Sequence, residues 1–544
     1  MHSVNELLEA SGLQAPEAPP GSAPTLARLA YNRLGFGARP GDVDFGNDVN
    51  QFNAYVDAQL SIETIDDSTG DAALAALSNK DSSGSDLPPL NATTRQIQQY
   101  SAGAKQRNLY AIGEMSSYLI KVTYTRALSS KKQLYEIMVD FWSNHFNTTF
   151  SGSEYKYWED YHAHRRFALG NFRSLVGASA KSPSMLQFLS NRYSDGSNPN
   201  ENYGRELMEL HTLGSTNQIT GDPNFGKFNY TEVDVHRVAG ILSGWTNVHS
   251  TGDEFRFNDS PYWPTHDYSS KEIWLGGNPF GSTTPYYIPY GGAEQGETLL
   301  DILAEHPSTA WFISRKLCRR FISDDPDGFC PNAVAAGAQA FISSHGDIRS
   351  VLKAILKHED FRRSWGQKVK RPFEFLVATL RSMNVTTYPP PNSIDPASPN
   401  DWELNGHLES VGQRLFEMPP PTGYPDFKAA WMDSNQIFAR WSLGNALIRR
   451  YFGEYVQNAT TGWKAVAPVN AALDAFIGGA GQTAAQVADQ LIGTFLGRTM
   501  DAADRTALIN YLGSGNASAA ISSQTFNLRP FIGVLIASPY FQWR

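Results

Sequence analysis

A chain of 544 residues is too long for one ordinary core, so two or three packed sub-domains are expected. Hydrophobic residues at 41% beside 18% charged ones make a folded globular composition and exclude a disordered chain. The net charge of −9 is spread along the sequence without a Lys/Arg-rich run, which leaves no electrostatic reason to bind nucleic acid.

No stretch approaches the roughly 20 apolar residues of a membrane span. The N-terminus lacks the basic and apolar regions of a signal peptide, so two locations stay open: the cytoplasm, or export with a leader already removed. Only two cysteines occur, Cys318 and Cys330, too few for a disulfide framework or a multi-cysteine metal site. If the protein is exported they could form one bridge, given Cα atoms within about 7 Å.

In chain order, 1–25 reads as a flexible leader, Pro/Ala/Gly-rich at 13–24. A helical region follows over 26–246, with a helix broken at 35–40, a long loop at 61–92, and helices near 104–128, 130–147 and 156–178. In KKQLYEIMVDFWSNHF, Leu134, Met138, Phe141 and His145 recur at helical spacing and form one stripe. In TEVDVHRVAGILSGW, Thr231 and Asp234 resemble a capping box, and Val235, Val238, Leu242 and Trp245 line one face. Residues 247–294 change texture to Gly, Pro and aromatic residues and predict a long irregular excursion with at most a small hairpin, around EFRFN. A second helical region spans 295–544, with helices at 296–323, 333–342, 346–358 and 371–384, a Pro-rich break at 388–400 and an ordered turn region in PPPTGYPD. The fold class is mainly α, a multi-helical globular protein.

The most concentrated polar segment is NENYGRELMELHTLG, 200–214. On a helix, Glu201, Arg205 and Glu209 form one ladder and Asn202, Glu206 and Glu209 the next, with Leu207, Leu210 and Leu213 opposite and Gly214 as the stop. Carboxylates converging beside an arginine suit a hard divalent metal ion or an acid/base pair. The same spacing also makes ordinary salt bridges on a solvated helix. His211 lies about 140° from Glu206 on an ideal helix and joins it only if the helix unwinds near Thr212; otherwise it reads as a hydrogen-bonded interior or edge histidine. His145 continues an apolar stripe beside Trp142 and reads as a core histidine or a ligand. His266–Asp267, in a loop, could be a ligand, a base or a loop tie, and His306 before Pro307 reads as a cap or hinge. Trp245, Tyr262, Trp263, Trp274, Tyr286, Tyr287 and Tyr290 could line a sugar-binding cleft or anchor the excursion. No P-loop, G-x-G-x-x-G, G-x-S-x-G or C-x-x-C motif occurs.

Ordered blocks carry a resemblance: RLAYNRLGFGARPG, FWSNHF, FALGNFRSLV, NENYGRELMELHTLG, YTEVDVHRVAGILSGWT, HPSTAWFISRKL, RPFEFLVATLRSM, PPPTGYPDFKAAW and SPYFQ. From end to end the chain resembles DUF1800 proteins, departing from their usual residues at Phe167 and Tyr540. The resemblance implies a helical fold and, for many relatives, export from bacteria, but no reaction. It singles out Trp142, His145, Asn202, Arg205, Glu206, Glu209, His211, Trp245, His266 and Asp267.

Three functions are carried forward. The first is a hydrolase-type enzyme on an extracellular or polymeric substrate. There Glu206, Glu209, Arg205, His266 and Asp267 are catalytic, and a divalent metal can be held by Glu206, Glu209, His145, His211 and His266. Trp142, Asn202 and Trp245 would bind substrate. The second is a metal-free, glycan-acting enzyme using paired carboxylates. The third is a binding or assembly protein whose polar blocks form a structural network. For the enzyme readings, the 247–294 excursion is expected to roof the Glu206–Glu209 face.

Overall fold

The stripe of Leu134, Met138, Phe141 and His145 turns inward on the helix Gln133–His145, and all four side chains are buried. The helix Glu232–Leu242 starts at a reciprocal capping box between Thr231 and Asp234, and Val235, Val238, Leu242 and Trp245 are 0% exposed. The computed structural model to which these elements belong describes residues 21–151, 153–247, 254–259, 265–275, 284–386, 404–452, 455–458, 462–465 and 469–544. The expected leader up to residue 20, the Pro-rich break at 388–400, and Tyr262 and Trp263 lie outside the described residues.

Helix makes up 58% of the described residues, and the described strands form four antiparallel two-stranded pieces. The fold is thus mainly α, as the periodicity indicates. Arg256–Phe257 pairs with Trp245–Thr246, and Lys271–Ile273 with Tyr286–Ile288, so the excursion holds two small ladders where one hairpin is expected. Two more ladders lie in the C-terminal region.

Several expected helices divide. The one near 104–128 is two, Thr94–Gln106 and Ala111–Ser129. They are separated where Asn108 takes a left-handed φ of 58°, a conformation that Asn tolerates and other side chains disfavour. The one at 296–323 kinks at His306, whose Nδ1 accepts from the Ser308 amide at 3.1 Å as N-cap of Pro307–Phe321. The one at 156–178 runs through Lys156–Glu159 into a wide i→i+5 turn, Asp160–Arg165, and a fresh helix, Phe172–Ala180, starts after the Asn171 cap. A second wide turn, Leu207–Thr212, continues Glu201–Glu206. Wide turns carry an extra residue and often mark functional positions.

One hydrophobic core reaches from Leu26 to Phe541; a smaller cluster gathers Leu87, Tyr118, Phe150 and Tyr157. Cys318 and Cys330 are free, buried thiols in hydrogen-bonding contact. No described helix is long and apolar enough to cross a membrane.

Trp245 shows how tightly the core closes. A Cβ added at Gly296 would stand 2.0 Å from its ring, so only glycine lets the helix Ala293–Glu305 lie against the indole. Gly296→Ala is expected to destabilise the fold by about 1–3 kcal/mol through overpacking. Urea unfolding reads this, and an unchanged midpoint would contradict that packing.

A candidate catalytic cavity around a lysine–histidine pair

The polar helix does not use its charges as the simple ladders suggest. Gly204 lets it pack closely on Glu232–Leu242: a Cβ there would meet Ala239 N at 3.1 Å and Val235 O at 3.2 Å. Charge pairing therefore runs between the two helices. Arg205 makes a two-pronged bridge to Glu232 at 2.9 and 2.6 Å, and Glu201 faces His236 at 3.1 Å. Glu209 accepts a short hydrogen bond from Tyr230. Glu206 is half-buried, and burial, then the neighbouring Glu209 charge, push its carboxyl above the usual range. Asn202 is exposed.

The helix widens at Leu207–Thr212 instead of unwinding. Leu213 N bonds Met208 O at 2.8 Å, and the Thr212 hydroxyl bonds Leu207 O at 2.7 Å. The extra residue sends His211 into the core while Glu206 and Glu209 keep partial exposure. Leu207 and Leu213 are buried, and Leu210 only partly.

His266 and Asp267 tie the excursion down. His266 is buried, with Nδ1 donating to Ser243 O at 2.7 Å and Nε2 facing Gln295 Oε1 at 3.2 Å. Asp267 pairs with Lys271 at 3.4 Å and takes the Ser269 hydroxyl at 2.7 Å. These contacts lie at the Ser243 end of Glu232–Leu242, whereas Glu209 and Arg205 meet Tyr230 and Glu232 at its start. Eleven residues of helix separate the two ends, about 16 Å. The excursion therefore does not bring His266 and Asp267 over Glu206 and Glu209, which corrects the expected roof.

The proposed metal set does not assemble either. His145 and His211 adjoin, with ring centroids 6.2 Å apart, but His266 belongs to the Ser243–Gln295 tie. Among the described residues, no group of three or more His, Cys, Asp or Glu side chains has the arrangement to hold a metal ion. Trp142 and Trp245 are wholly buried, and Trp142 Nε1 is spent on Ala168 O at 3.0 Å, so neither indole faces a ligand.

Four blocks of the sequence converge elsewhere, around a cavity of about 370 Å³. Phe141, Asn144 and His145 come from the end of Gln133–His145, and Lys316 and Arg319 from Pro307–Phe321. Arg371 precedes the helix Pro372–Ser382, and Thr422 to Phe427 add a strap of chain to the lining. Asn144 clamps the strap, donating to Tyr424 O at 2.9 Å and accepting from Tyr424 N at 2.7 Å. Asn147 donates to Met418 O at 2.7 Å and Pro420 O at 2.8 Å. Gly423, with φ 71°, has to be glycine, because a Cβ would stand 2.2 Å from Asn144 O.

At the cavity wall Lys316 Nζ donates to His145 Nδ1 at 2.8 Å, and His145 Nε2 donates to His211 O at 3.1 Å. These partners fix a neutral His145 whose lone pair orients the lysine. Burial, then the nearby Arg319 cation, push the Lys316 amine down to about 8, against the pull of Asp426. Burial would raise Asp426, but Lys368 and then Arg371 hold its carboxylate well below the usual range. The lining thus carries Lys316, Arg319 and Arg371 against Asp426 alone.

Beneath it, His145, His164 and His211 ring Phe146, at centroid distances of 4.4, 6.4 and 5.2 Å. Each wide turn contributes one of these histidines.

Lys316, Arg371, Asn144 and Asp426 were not among the residues expected to act. The available signal was the clustering of polar residues at the ends of apolar blocks: Lys316 ends ISRK, and Arg371 opens RPFEF.

Fold and cavity define a mainly helical protein with a cation-lined internal site. The chain belongs to the family described as Protein of unknown function (DUF1800), whose model matches residues 29–543. No curated protein and no solved structure matches it.

The three histidines make acid stability testable. Burial first, then nearby cations, hold His145 and His164 well below the ordinary value and His211 at about 3. The unfolded chain takes up these protons below about 6.5 and the folded one does not. Stability is therefore full above that pH and lost as pH falls, by about 1.4 kcal/mol per unit for each histidine. His164→Leu is expected to flatten this slope by about one proton; unfolding curves at pH 7 and pH 5 with parallel wild-type and variant slopes would contradict it.

Proposed function

We propose that the cavity is the catalytic centre of a hydrolase-type enzyme acting on an anionic substrate, with Lys316 as the base. The observation that carries this is the Lys316–His145 contact of 2.8 Å on the wall of a cavity lined by further cations. A lysine pushed down to about 8 has a usable neutral fraction near physiological pH, and a strongly displaced group in a cleft favours a catalytic role over a structural one.

Neutral Lys316 takes a proton from a water molecule, and the resulting hydroxide attacks the scissile centre. The Lys316 ammonium then returns that proton to the leaving group. His145 Nδ1 receives a Lys316 N–H and keeps the amine aimed. Arg319 and Arg371 attract the substrate's anionic group and stabilise charge developing in the transition state. Ionised Asp426 accepts from a substrate donor. The extracellular or polymeric substrate expected for the family's exported members remains part of this proposal.

A second reading keeps one observation of its own. Burial, then the Glu209 charge, push the Glu206 carboxyl above the usual range so that it keeps its proton to higher pH than an ordinary glutamate, the starting point for a paired-carboxylate glycan enzyme.

The test is a panel of hydrolysable anionic esters and glycosides assayed with wild type, Lys316→Met, Lys316→Arg and Glu206→Gln. Lys316→Met is expected to lose about 10²- to 10⁴-fold in kcat, and the wild-type rate to rise with pH through a midpoint near 8. Lys316→Met should also be more stable than wild type at pH 7. The depressed amine penalises the folded state below pH 8, and the penalty fades as pH rises from 8 towards the ordinary 10.5. Turnover unaffected in Lys316→Met contradicts the proposal, and turnover abolished only in Glu206→Gln transfers it to the carboxylate pair.

A further inference from the structure

We infer that a second cavity, on the other side of the helix Gln133–His145, is a binding site for an acidic sugar chain. Glu136 lines this cavity and His145 the first. The two residues stand nine apart, half a turn out of phase on a helix of 3.6 residues per turn. The cavity holds about 500 Å³, and a neighbouring one of about 620 Å³ shares His162 and Arg166 with it. They adjoin at His162 and Arg166, and each lies within the size range of ligand sites.

Arg126 marks the ligand end. It is half-buried and opens onto the cavity. Among the described residues its guanidinium makes no hydrogen bond or ion pair, although Glu136 and Asp160 act on it at longer range. Those two carboxylates are spent on Arg165, which takes both Glu136 oxygens at 3.0 Å and Asp160 at 3.0 Å. A half-buried guanidinium with free N–H groups is a fork for a carboxylate or sulfate. Lys132 lines the same cavity.

The other end supplies aromatic faces. Trp158 stacks on His162 at 4.7 Å and 24°, and His162 is fixed by Nε2 on Ala92 O at 3.1 Å. Tyr161 is exposed beside them. The wide turn Asp160–Arg165 explains the alignment. An α turn holds 3.6 residues and an i→i+5 turn more than four, so their combination brings Trp158, His162 and Arg166, spaced four apart, onto one stripe. Sugar faces stack on such ledges, whereas a polyphosphate has no apolar face to lay on Trp158 and Tyr161.

Calorimetric titration with a short oligogalacturonate, a neutral oligoglucoside of equal length and sodium polyphosphate tests the site. Binding of the oligogalacturonate is expected, weakened about tenfold or more by Arg126→Gln, the loss of one charged hydrogen-bonding partner, and measurably by Lys132→Ala and Trp158→Ala. The oligoglucoside should bind more weakly, and added salt should narrow the difference. Lys132→Ala leaves Arg126 in place and decides the matter if Arg126→Gln does not fold. Absence of oligogalacturonate binding at millimolar concentration overturns the inference. So does an affinity unchanged by Lys132→Ala and Trp158→Ala, or tighter binding of polyphosphate than of the sugar.

Discussion

One buried carboxylate, Glu374, holds three guanidinium groups. Arg544 approaches it at 3.1 Å, Arg371 at 3.4 Å, and Arg320 closer still. A single negative charge cannot balance three positive ones in a medium that screens poorly. The remainder is shared outward: Arg371 reaches Asp140, and Lys368 bridges Asp324 at 2.6 Å and Asp426 at 3.2 Å. These groups come from segments far apart in the chain. Lifting the strap that carries Asp426 would strand Lys368 with half its partners, which costs far more than a surface pair is worth. The ionic cluster thus fixes the elements around the cavity as firmly as the apolar core does.

That constraint also sets the chemistry. Lys316 sits at the edge of a cation-rich region whose carboxylates are already committed, so its ammonium form gains little compensation for lost water. The cost appears as a depressed amine. His145 accepts a hydrogen bond from the lysine without supplying a charge, orienting the amine while leaving its proton loose. Strap, cluster and histidine together hold the Lys316 amine in place at the cavity wall.

The helices were largely legible because burial imposes a periodicity on local sequence. The Leu134–Met138–Phe141 stripe, the Thr231–Asp234 box and the His306 cap depend on residues within a few positions of one another. The wide turns were not legible, since one extra residue per turn leaves composition unchanged, although the interior reading of His211 agrees with its burial. The site was legible only in part. His145 stood out, but its partner Lys316 lies 171 residues away, and nothing in one sequence reports such a distance. Glu206 and Glu209 drew attention through local charge density, while Arg205 found its counter-ion on the neighbouring helix, at Glu232. Local charge announces that pairing is needed; it does not say where the partner comes from.

The most direct measurement is the titration of Lys316 itself, followed by competitive acetylation of the native protein across a pH series with readout of the Lys316 peptide by mass. A midpoint near 8 is expected, moving further down in Asp426→Asn, where the one nearby carboxylate that favours the ammonium is removed. Acetylation that begins only near the ordinary lysine range of about 10.4, in wild type and variant alike, would contradict a poised base at the cavity wall.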